Sequence, residues 1–248
     1  MSYMTNQMLS GTDSWREHFY RISIEQENGG HRSQRESALE QEAMEHLFHL
    51  SGGRSMLDFG CGSADVLAYT AARYDRVVGV DIAPQMLANA RSRLDAMGVG
   101  GVQLVEADDR QVWDRVEGRF DRITGAGVVQ FLRPHELEQF LVRARERLEP
   151  GGTVVLLDAI DPLLFSLWSA GSWKRRSVAA GLALALARTP LRAARRALRR
   201  VRGRPGSDMG YAHSRREMRT IARRAGFRAE IVSSMRYEYR YHVILSPR

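Results

Sequence analysis

Short apolar runs alternate with helical patterns over residues 55–158, and this alternation restricts the chain to few folds. The helical patterns carry apolar residues at three- and four-residue spacing. Parallel strands need a crossover between them, so a parallel sheet with helices on both faces fits this order. We therefore predict an α/β fold. The predicted strands are 55–59, 76–80, 102–106, 120–124 and 152–158, and the predicted helices are 33–50, 64–73, 84–97 and 135–148.

The end of the chain continues the pattern with one more helix and two strands. Residues 214–225 have helical spacing and stop at Gly226, and residues 228–235 and 239–245 have the composition of closing strands. Before residue 152, the sequence Leu148-Glu-Pro-Gly-Gly152 is a strong stop-and-turn signal.

A glycine turn joins the first predicted strand to the helix that follows it. Its sequence is Met56-Leu-Asp-Phe-Gly-Cys-Gly-Ser-Ala-Asp65. Glycine lets the backbone adopt positive φ and approach a ligand closely. The start of the next helix offers free N–H groups to that ligand.

Carboxylates follow the next two predicted strands. Asp81 ends the second strand, where a carboxylate can accept hydrogen bonds from both hydroxyls of a ribose. Asp108 and Asp109 follow the third strand, where a carboxylate can accept from an adenine amino group. The fourth strand leads into Gly125 and Gln130, which would lie across the same crevice. A plain turn or cap role is the alternative for each of these residues.

These motifs together resemble the class I S-adenosylmethionine-dependent methyltransferases. The matching positions are the Gly-rich motif Leu57-Asp-Phe-Gly-Cys-Gly62, Asp81 with Ile82 and Met86, Asp108, the loop Gly127-Val-Val-Gln-Phe-Leu132 and the stretch 148–152. The resemblance covers about residues 35–160. It implies a Rossmann-like, seven-stranded, mostly parallel sheet whose last strand is antiparallel.

The resemblance also implies S-adenosylmethionine as cofactor. Its expected contacts are Asp58, Gly60, Cys61, Gly62, Asp81, Ile82, Met86, Asp108, Asp109, Gly125 and Gln130. Arg35 would reach the methionine carboxylate and Tyr20 would cover the cofactor, although each has a structural alternative. The family often has a third glycine where this chain has Ala64.

A nicotinamide dinucleotide is the rival ligand for such a turn. Dinucleotide sites favour the pattern G-x-G-x-x-G, and this chain has Asp65 at the third position. A carboxylate there would repel a pyrophosphate, whereas a sulfonium cofactor carries no phosphate. The sequence therefore favours S-adenosylmethionine.

Methyl transfer to a hydroxyl needs a general base, and four residues are candidates. His213 comes first because the ordinary pKa of histidine lies near working pH, and Asp158, Asp161 and His135 follow. Each has a cap, turn or surface alternative. The sequence displays no cluster of metal ligands, so we expect no metal.

One segment accounts for the excess of positive over negative charge in the chain. Between Asp161 and Asp208 there are eleven of the 37 basic residues and no acidic residue. Residues 163–204 combine this charge with Trp and Phe, and the apolar stripe at 191–201 has helical spacing. Such a helix suits a lid over the acceptor pocket, an anionic membrane surface or lipid-linked substrate, or a dimer contact. Nucleic acid is disfavoured because aromatic residues do not interleave with the arginines.

The domain organisation follows from these observations. We predict a cap segment at 1–34, a methyltransferase core at 35–161, a basic helical insertion and acceptor lid at 162–213, and a closing helix with strands at 214–248. The single cysteine excludes an internal disulfide, and no basic-then-apolar leader precedes the core. We expect a cytoplasmic enzyme, with peripheral attachment to the inner membrane face as a variant. The expected reaction is O-methylation of a small molecule or glycan, with N-methylation or a silent cofactor-binding module as alternatives.

Overall fold

A computed structural model describes residues 36–169 and 210–248 of the chain. Seven strands of this part form one sheet in the order β3-β2-β1-β4-β5-β7-β6. The strands are β1 (Ser55–Phe59), β2 (Arg76–Asp81), β3 (Val102–Glu106), β4 (Phe120–Ala126), β5 (Leu148–Ile160), β6 (Phe227–Ser233) and β7 (Arg240–Pro247).

Strands β1 to β5 are parallel, and β7 runs antiparallel between β5 and β6. The strand order reverses at β1, which pairs with β2 on one side and with β4 on the other. In open α/β sheets ligands bind outside the carboxyl ends of the strands at this switch point. The predicted Rossmann-like sheet is confirmed.

Helices cover both faces of the sheet. They are α1 (Glu36–Leu50), α2 (Leu67–Thr70), α3 (Pro84–Ala96), α4 (Val112–Arg115), α5 (Pro134–Glu146), α6 (Pro162–Ser169) and α7 (Arg215–Arg224). A 3₁₀ turn follows α2 at Ala71–Arg73, and another follows β4 at Val129–Phe131. The predicted helices at 33–50, 84–97, 135–148 and 214–225 are present with small shifts at their ends, while 64–73 contains only α2 and its 3₁₀ turn.

Strand alternation divides the core into two layers. Leu57 and Phe59 face α4, α5 and α7, where Phe140 packs on Phe59 with ring centroids 4.5 Å apart. Met56 faces the other way into a layer that includes Leu50 of α1 and Leu94 of α3. β1 thus contributes to both layers because successive side chains of a strand point to opposite faces.

The stretch 148–152 differs from its prediction as a turn. It forms the irregular beginning of β5, with a register shift between Phe120 and Arg122 of the neighbouring strand. Gly151 has a φ of 80°, and a Cβ atom on Gly152 would lie 2.9 Å from the carbonyl oxygens of Glu149 and Phe120. The glycines therefore allow a close approach of β5 to β4 instead of a reversal of the chain.

The predicted cofactor residues Tyr20 and Arg35, the cap segment at 1–34 and residues 170–209 of the insertion lie outside the described residues, so their proposed roles stay predictions. The described parts of the insertion are α6 and residues 210–213. In α6, Phe165 and Trp168 pack against Tyr239, with Trp168 and Tyr239 ring centroids 4.7 Å apart. No helix in residues 36–169 and 210–248 has both the length and the apolar character needed to cross a membrane.

Candidate functional site

The glycine turn after β1 lies where the strand order reverses. The amides of Gly60 and Cys61 both donate to the Val80 carbonyl oxygen, at 2.7 and 2.9 Å. Gly60 and Gly62 have positive φ values of 75° and 54°. A Cβ atom on Gly60 would lie 2.7 Å from Val128 Cγ2, whereas one on Gly62 would meet no described atom within 4 Å. Gly62 therefore borders open space through which a ligand can reach the backbone.

The carboxylate of Asp81 connects this turn to the end of β2. Its Oδ2 accepts from the Gly62 amide and its Oδ1 accepts from the Ala83 amide, both at 2.9 Å. Burial raises the pKa of Asp81 above its ordinary value, although the backbone hydrogen bonds act in the other direction. Each carboxylate oxygen can accept a second hydrogen bond. Asp81 thus keeps acceptor capacity on both oxygens, and its contact with the ribose hydroxyls stays a prediction.

Asp108 begins a turn at the end of β3. Its Oδ1 accepts from the amides of Arg110 and Gln111, at 3.0 and 2.8 Å. This is the cap role that we considered as the alternative. Both bonds use one oxygen, so Oδ2 can still accept from an adenine amino group. Asp109, which follows it, is also buried.

The remaining cofactor candidates on β1 and β2 differ in exposure. Asp58 is buried on β1, opposite Gly79 and Thr124 of the neighbouring strands. Ile82 is half-buried beside Asp81, where a flat ring could rest on it. Met86 is only 1% exposed, so protein atoms already enclose its side chain. The contact between Met86 and the cofactor therefore stays a prediction.

The loop after β4 closes the other side of the crevice. A Cβ atom on Gly125 would lie 2.6 Å from Val128 Cγ1, so glycine is needed there for packing. The buried Oε1 of Gln130 has no hydrogen-bond partner in the described part of the chain. The cofactor role of Gln130 stays a prediction, and this unpartnered oxygen is the observation that bears on it.

His213 is held by the backbone of this same loop. Its Nε2 lies 3.1 Å from the carbonyl oxygens of both Val129 and Leu132, and its Nδ1 lies 3.9 Å from Glu217 Oε2. The Tyr241 hydroxyl donates to the His213 carbonyl oxygen at 2.6 Å. A base must present a free nitrogen to the acceptor, so this geometry favours a structural role. The predicted role of His213 as a base finds no support in these contacts.

Asp161 and His135, two other predicted bases, lie at helix starts. Asp161 Oδ1 accepts from the amides of Leu163 and Leu164, and Oδ2 lies 3.2 Å from Arg215 Nε. These contacts match the cap alternative for Asp161. His135 is exposed in the first turn of α5 and lines an open groove with Glu138, Ser214 and Thr220, among other residues.

Asp158, the fourth predicted base, lies in a buried polar cluster that the sequence did not reveal. We call this group the α1–β5–β7 cluster; its members are Glu42, Glu45 and His46 of α1, Asp158 of β5, and Arg240 and His242 of β7. His46 Nε2 lies 3.0 Å from Asp158 Oδ2, and His242 Nε2 lies 2.8 Å from Glu45 Oε1. The only sequence signal was that Glu42, Glu45, His46 and His49 share one helical face.

Cys61 and Asp65 are two further polar residues of the glycine turn. Burial and the nearby charges of Asp81 and Asp58 raise the pKa of the Cys61 thiol well above its ordinary value, which disfavours the reactive thiolate form. Asp65 Oδ1 lies 3.6 Å from Arg93 Nη1. This ion pair offsets the charge of Asp65, so repulsion of a pyrophosphate is a weaker argument than the sequence suggested.

Comparison with known proteins bears on this site. Residues 56–152 match the family described as a methyltransferase domain. The match runs from β1 through the glycine turn, Asp81 and Asp108 to the start of β5. The matched residues are fewer than half of the chain, and over this part the chain is similar to a methyltransferase domain.

Two curated relatives resemble the methyltransferase domain in sequence. A carboxy-S-adenosyl-L-methionine synthase of Chromohalobacter salexigens is 33% identical over 117 residues, which cover 45% of this chain and 42% of that protein. A cyclopropane-fatty-acyl-phospholipid synthase of Escherichia coli K12 is 30% identical over 108 residues, covering 43% of this chain and 26% of that protein. The chain therefore spans less than half the length of these relatives.

The fold as a whole matches a solved methyltransferase. The magnesium protoporphyrin IX methyltransferase of Synechocystis PCC 6803, with bound S-adenosylmethionine, has a TM-score of 0.59 at 14% identity and covers 98% of this chain and 100% of that one. At 14% identity this match supports the fold alone. The prediction of a class I S-adenosylmethionine-dependent methyltransferase is confirmed for the domain and its fold.

Proposed function

We propose that this protein binds S-adenosylmethionine and transfers its methyl group to an oxygen atom of a small-molecule or glycan acceptor. The observation that carries the proposal is the position of Asp81. Its carboxylate closes the turn that contains Gly62, beside the open space in front of that glycine. The methyltransferase-domain match over the same residues supports it.

The residues of the crevice fit the polar groups of this cofactor. Asp81 accepts from the ribose hydroxyls, Asp108 Oδ2 accepts from the adenine amino group, and Gln130 Oε1 accepts from the ammonium end or a bound water. Ile82 supplies an apolar surface for the adenine ring. When bound, the cofactor supplies an electrophilic methyl group on a sulfonium. The protein aligns that group with the acceptor and excludes water.

A hydroxyl acceptor has to lose its proton, and the four predicted bases differ in access. Hydrogen bonds or ion pairs within the fold hold His213, Asp161 and Asp158. His135 lies in an open groove and is the predicted base with free access. A pH–rate profile of His135→Gln tests this role, because loss of the base should remove the limb that reports its pKa. An unchanged profile would exclude His135.

Calorimetry with S-adenosylmethionine tests the cofactor site. Asp81→Asn should weaken binding at least about tenfold, because an amide accepts through only one of its two end atoms and carries no charge. Asp114→Asn is the matched control, since the Asp114 side chain is 78% exposed on α4. Absence of binding by the wild-type protein, or equal affinities for wild type and Asp81→Asn, would contradict the proposal.

A lipid or lipid-linked acceptor is a second candidate. The Escherichia coli relative is named as a cyclopropane-fatty-acyl-phospholipid synthase. In this chain α6 follows β5 directly and carries Phe165 and Trp168, and Leu163 on the same helix is 61% exposed. An apolar acceptor would find a surface there. Formation of S-adenosylhomocysteine with a panel of glycans, phenols, amines and lipids separates these acceptors. Binding of the cofactor without turnover on the whole panel would favour a silent module.

A further inference from the structure

The α1–β5–β7 cluster contains more negative than positive charge. Glu42, Glu45 and Asp158 are buried carboxylates, and each is 4% exposed or less. Arg240 is the permanent cation of the cluster, with Nη1 3.8 Å from Asp158 Oδ2. Buried charges are costly unless they are compensated. The cluster therefore needs further positive charge, which protons or a metal ion could supply.

His242 cannot supply that charge in this arrangement. The Asp158 amide donates to His242 Nδ1 at 3.1 Å, so Nδ1 carries no proton. The other nitrogen, Nε2, donates to Glu45 Oε1 at 2.8 Å. A histidine with one donor and one acceptor nitrogen is neutral. Even a protonated His46 would leave three carboxylates against two cations, whereas a divalent ion beside a neutral His46 makes the cluster neutral.

The backbone directs Asp158 into this cluster. Asp158 has a φ of 58°, which lies in the left-handed region that residues other than glycine seldom adopt. The register of β5 against β7 shifts between Leu156 and Ala159. Such irregularities re-aim a side chain and are frequent at functional sites. Here the result is that Asp158 Oδ2 faces His46 on α1.

Three buried atoms in the cluster have no hydrogen-bond partner among the described residues. They are Oε1 of Glu42, Nδ1 of His46 and Nε of Arg240, and only the first two belong to groups that can bind a metal ion. The Glu42 residue is 3% exposed, so water does not satisfy its carboxylate from outside. A buried polar atom without a partner costs free energy and indicates a missing ligand, water or ion. Glu42 lies one helical turn before His46, so its carboxylate points to the same place.

We propose that Glu42, His46 and Asp158 bind one divalent transition-metal ion. One ligand atom from each residue lies within 4.8 Å of the other two. Ligands of one ion at about 2.1 Å lie about 3.0–3.4 Å apart, so the Glu42 side chain needs only a small movement. One imidazole with two carboxylates suits Zn²⁺, Co²⁺ or Mn²⁺ better than Mg²⁺, which prefers oxygen ligands and water.

The proposal does not depend on methyl transfer. Neither Glu42 nor His46 belongs to the crevice formed by Gly62, Asp81 and Asp108. The ion would join α1 to β5 and hold Asp158 in its left-handed conformation. Calorimetry with S-adenosylmethionine on metal-free protein reports on the cofactor site alone, so the two proposals can fail separately.

The test uses the full chain after treatment with a chelator. Loading with Zn²⁺, Co²⁺, Mn²⁺ or Mg²⁺ is followed by desalting and elemental analysis. We expect about one Zn²⁺ or Co²⁺ per chain, no retained Mg²⁺, and a rise in Tm of about 5 °C or more at a hundredfold excess of free ion over Kd. Retention of no ion, with an unchanged Tm, would overturn the proposal and leave protons as the compensating charge.

Glu42→Gln is the informative variant, because it keeps the shape of the side chain and removes a buried unpaired carboxylate oxygen. We expect its affinity for Zn²⁺ to fall at least about tenfold. Glu146→Gln, with a 65% exposed side chain, is the control and should bind like wild type. Equal affinity of Glu42→Gln and wild type would contradict the assignment.

X-ray absorption on the Co²⁺-loaded wild-type protein gives a test that needs no variant. The assigned ligands predict a shell of nitrogen and oxygen at about 2.0–2.2 Å with the outer scattering of one imidazole. A sulfur shell at about 2.3 Å would assign the ion to Cys61 instead and would overturn the proposal.

Discussion

At the scale of single residues, the two glycines of the turn have different functions. The position of a Cβ atom on Gly60 is already occupied by Val128, and the corresponding position on Gly62 is open. Both residues have positive φ, so both substitutions add backbone strain. Only Gly60 adds a collision within the fold, and only Gly62 borders the space for the cofactor.

This difference gives a paired prediction. Gly62→Ala should lower the free energy of unfolding by about 1–2 kcal/mol through its positive φ and weaken S-adenosylmethionine binding more than tenfold. Gly60→Ala should lower the free energy of unfolding by about 1–3 kcal/mol more than Gly62→Ala does, because Val128 has to move. Urea unfolding and calorimetry measure the two quantities. Equal loss of stability in both variants would contradict the assignment.

The sequence predicted some site residues better than others, for a physical reason. Asp81 and Asp108 follow strands of a parallel sheet, and the carboxyl ends of such strands meet at one edge, so their proximity was predictable. His46 and Asp158 are 112 residues apart, and their contact depends on the packing of α1 against β5. The periodicity of apolar residues does not predict how α1 packs against β5. The charge of Asp65 was visible in the sequence, but its partner Arg93 was not.

At the scale of elements, α5 shows how one helix start is fixed. The Glu136 side chain accepts from the Arg133 amide at 2.7 Å through Oε2 and from the Arg133 guanidinium through Oε1. Burial alone would raise the pKa of Glu136, but these bonds to Arg133 hold it below its ordinary value. Pro134 supplies the φ of the first helical residue. The helix therefore begins at a defined residue beside the β4 loop.

Removing this contact should destabilise the protein. Glu136→Ala leaves the Arg133 amide without its acceptor and is expected to cost about 1–3 kcal/mol in the free energy of unfolding. Glu138→Ala on the same helix is the control. Its side chain is 32% exposed and makes a single ion pair of 3.6 Å with Arg224, so we expect a loss of about 0.5 kcal/mol or less. Similar midpoints in urea for the two variants would refute this role of Glu136.

Elements with strong periodicity were predicted well, and short elements were not. β1 and β3 have the predicted bounds, and α3 and α7 differ by single residues at their ends. The short helix α4 has too few residues to display helical periodicity, so the sequence did not predict it. Its Trp113 is nevertheless a buried core residue. In β5 the Pro-Gly-Gly sequence indicated a turn, and residues 149–152 indeed have no partner on β4 between the pairs Phe120–Leu148 and Arg122–Thr153. The local signal therefore appears as an irregularity within β5, where Gly151 has a positive φ, and not as a break before the strand.

At the scale of the whole molecule, several carboxylates link stability to pH. Burial would raise the pKa of Asp158, but its hydrogen bond to His46 holds that pKa below its ordinary value. The hydrogen bond between Glu45 and His242 likewise holds the pKa of Glu45 below its ordinary value, against the effect of burial. Glu136 behaves in the same way. A carboxyl with a lowered pKa in the folded state stabilises the fold above its unfolded pKa and loses this contribution as the pH falls. The pKa of Asp81 is raised in the folded state, so its contribution to stability changes with pH in the opposite direction.

We therefore predict a loss of stability in acid in two stages. Burial lowers the pKa of His49 below its ordinary 6.5, so below that pH the unfolded chain takes up a proton first and stability begins to fall. The steeper loss begins below about 4.5, the ordinary pKa of glutamate, where the three carboxylates are protonated on unfolding. Urea midpoints between pH 7.5 and 3, measured with chelator present, check this. A midpoint constant down to pH 4 would contradict it.

The position of β7 fixes an order in which the sheet can form. In the described fold β6 pairs with β7 alone, while β7 pairs with both β5 and β6. β6 is made first but cannot join the sheet until the strand after it has reached the edge of β5. During synthesis the side of the sheet at β5 therefore stays an open edge until residues 240–247 are available. A chaperone that binds exposed strand edges would find its target at β5 during that interval.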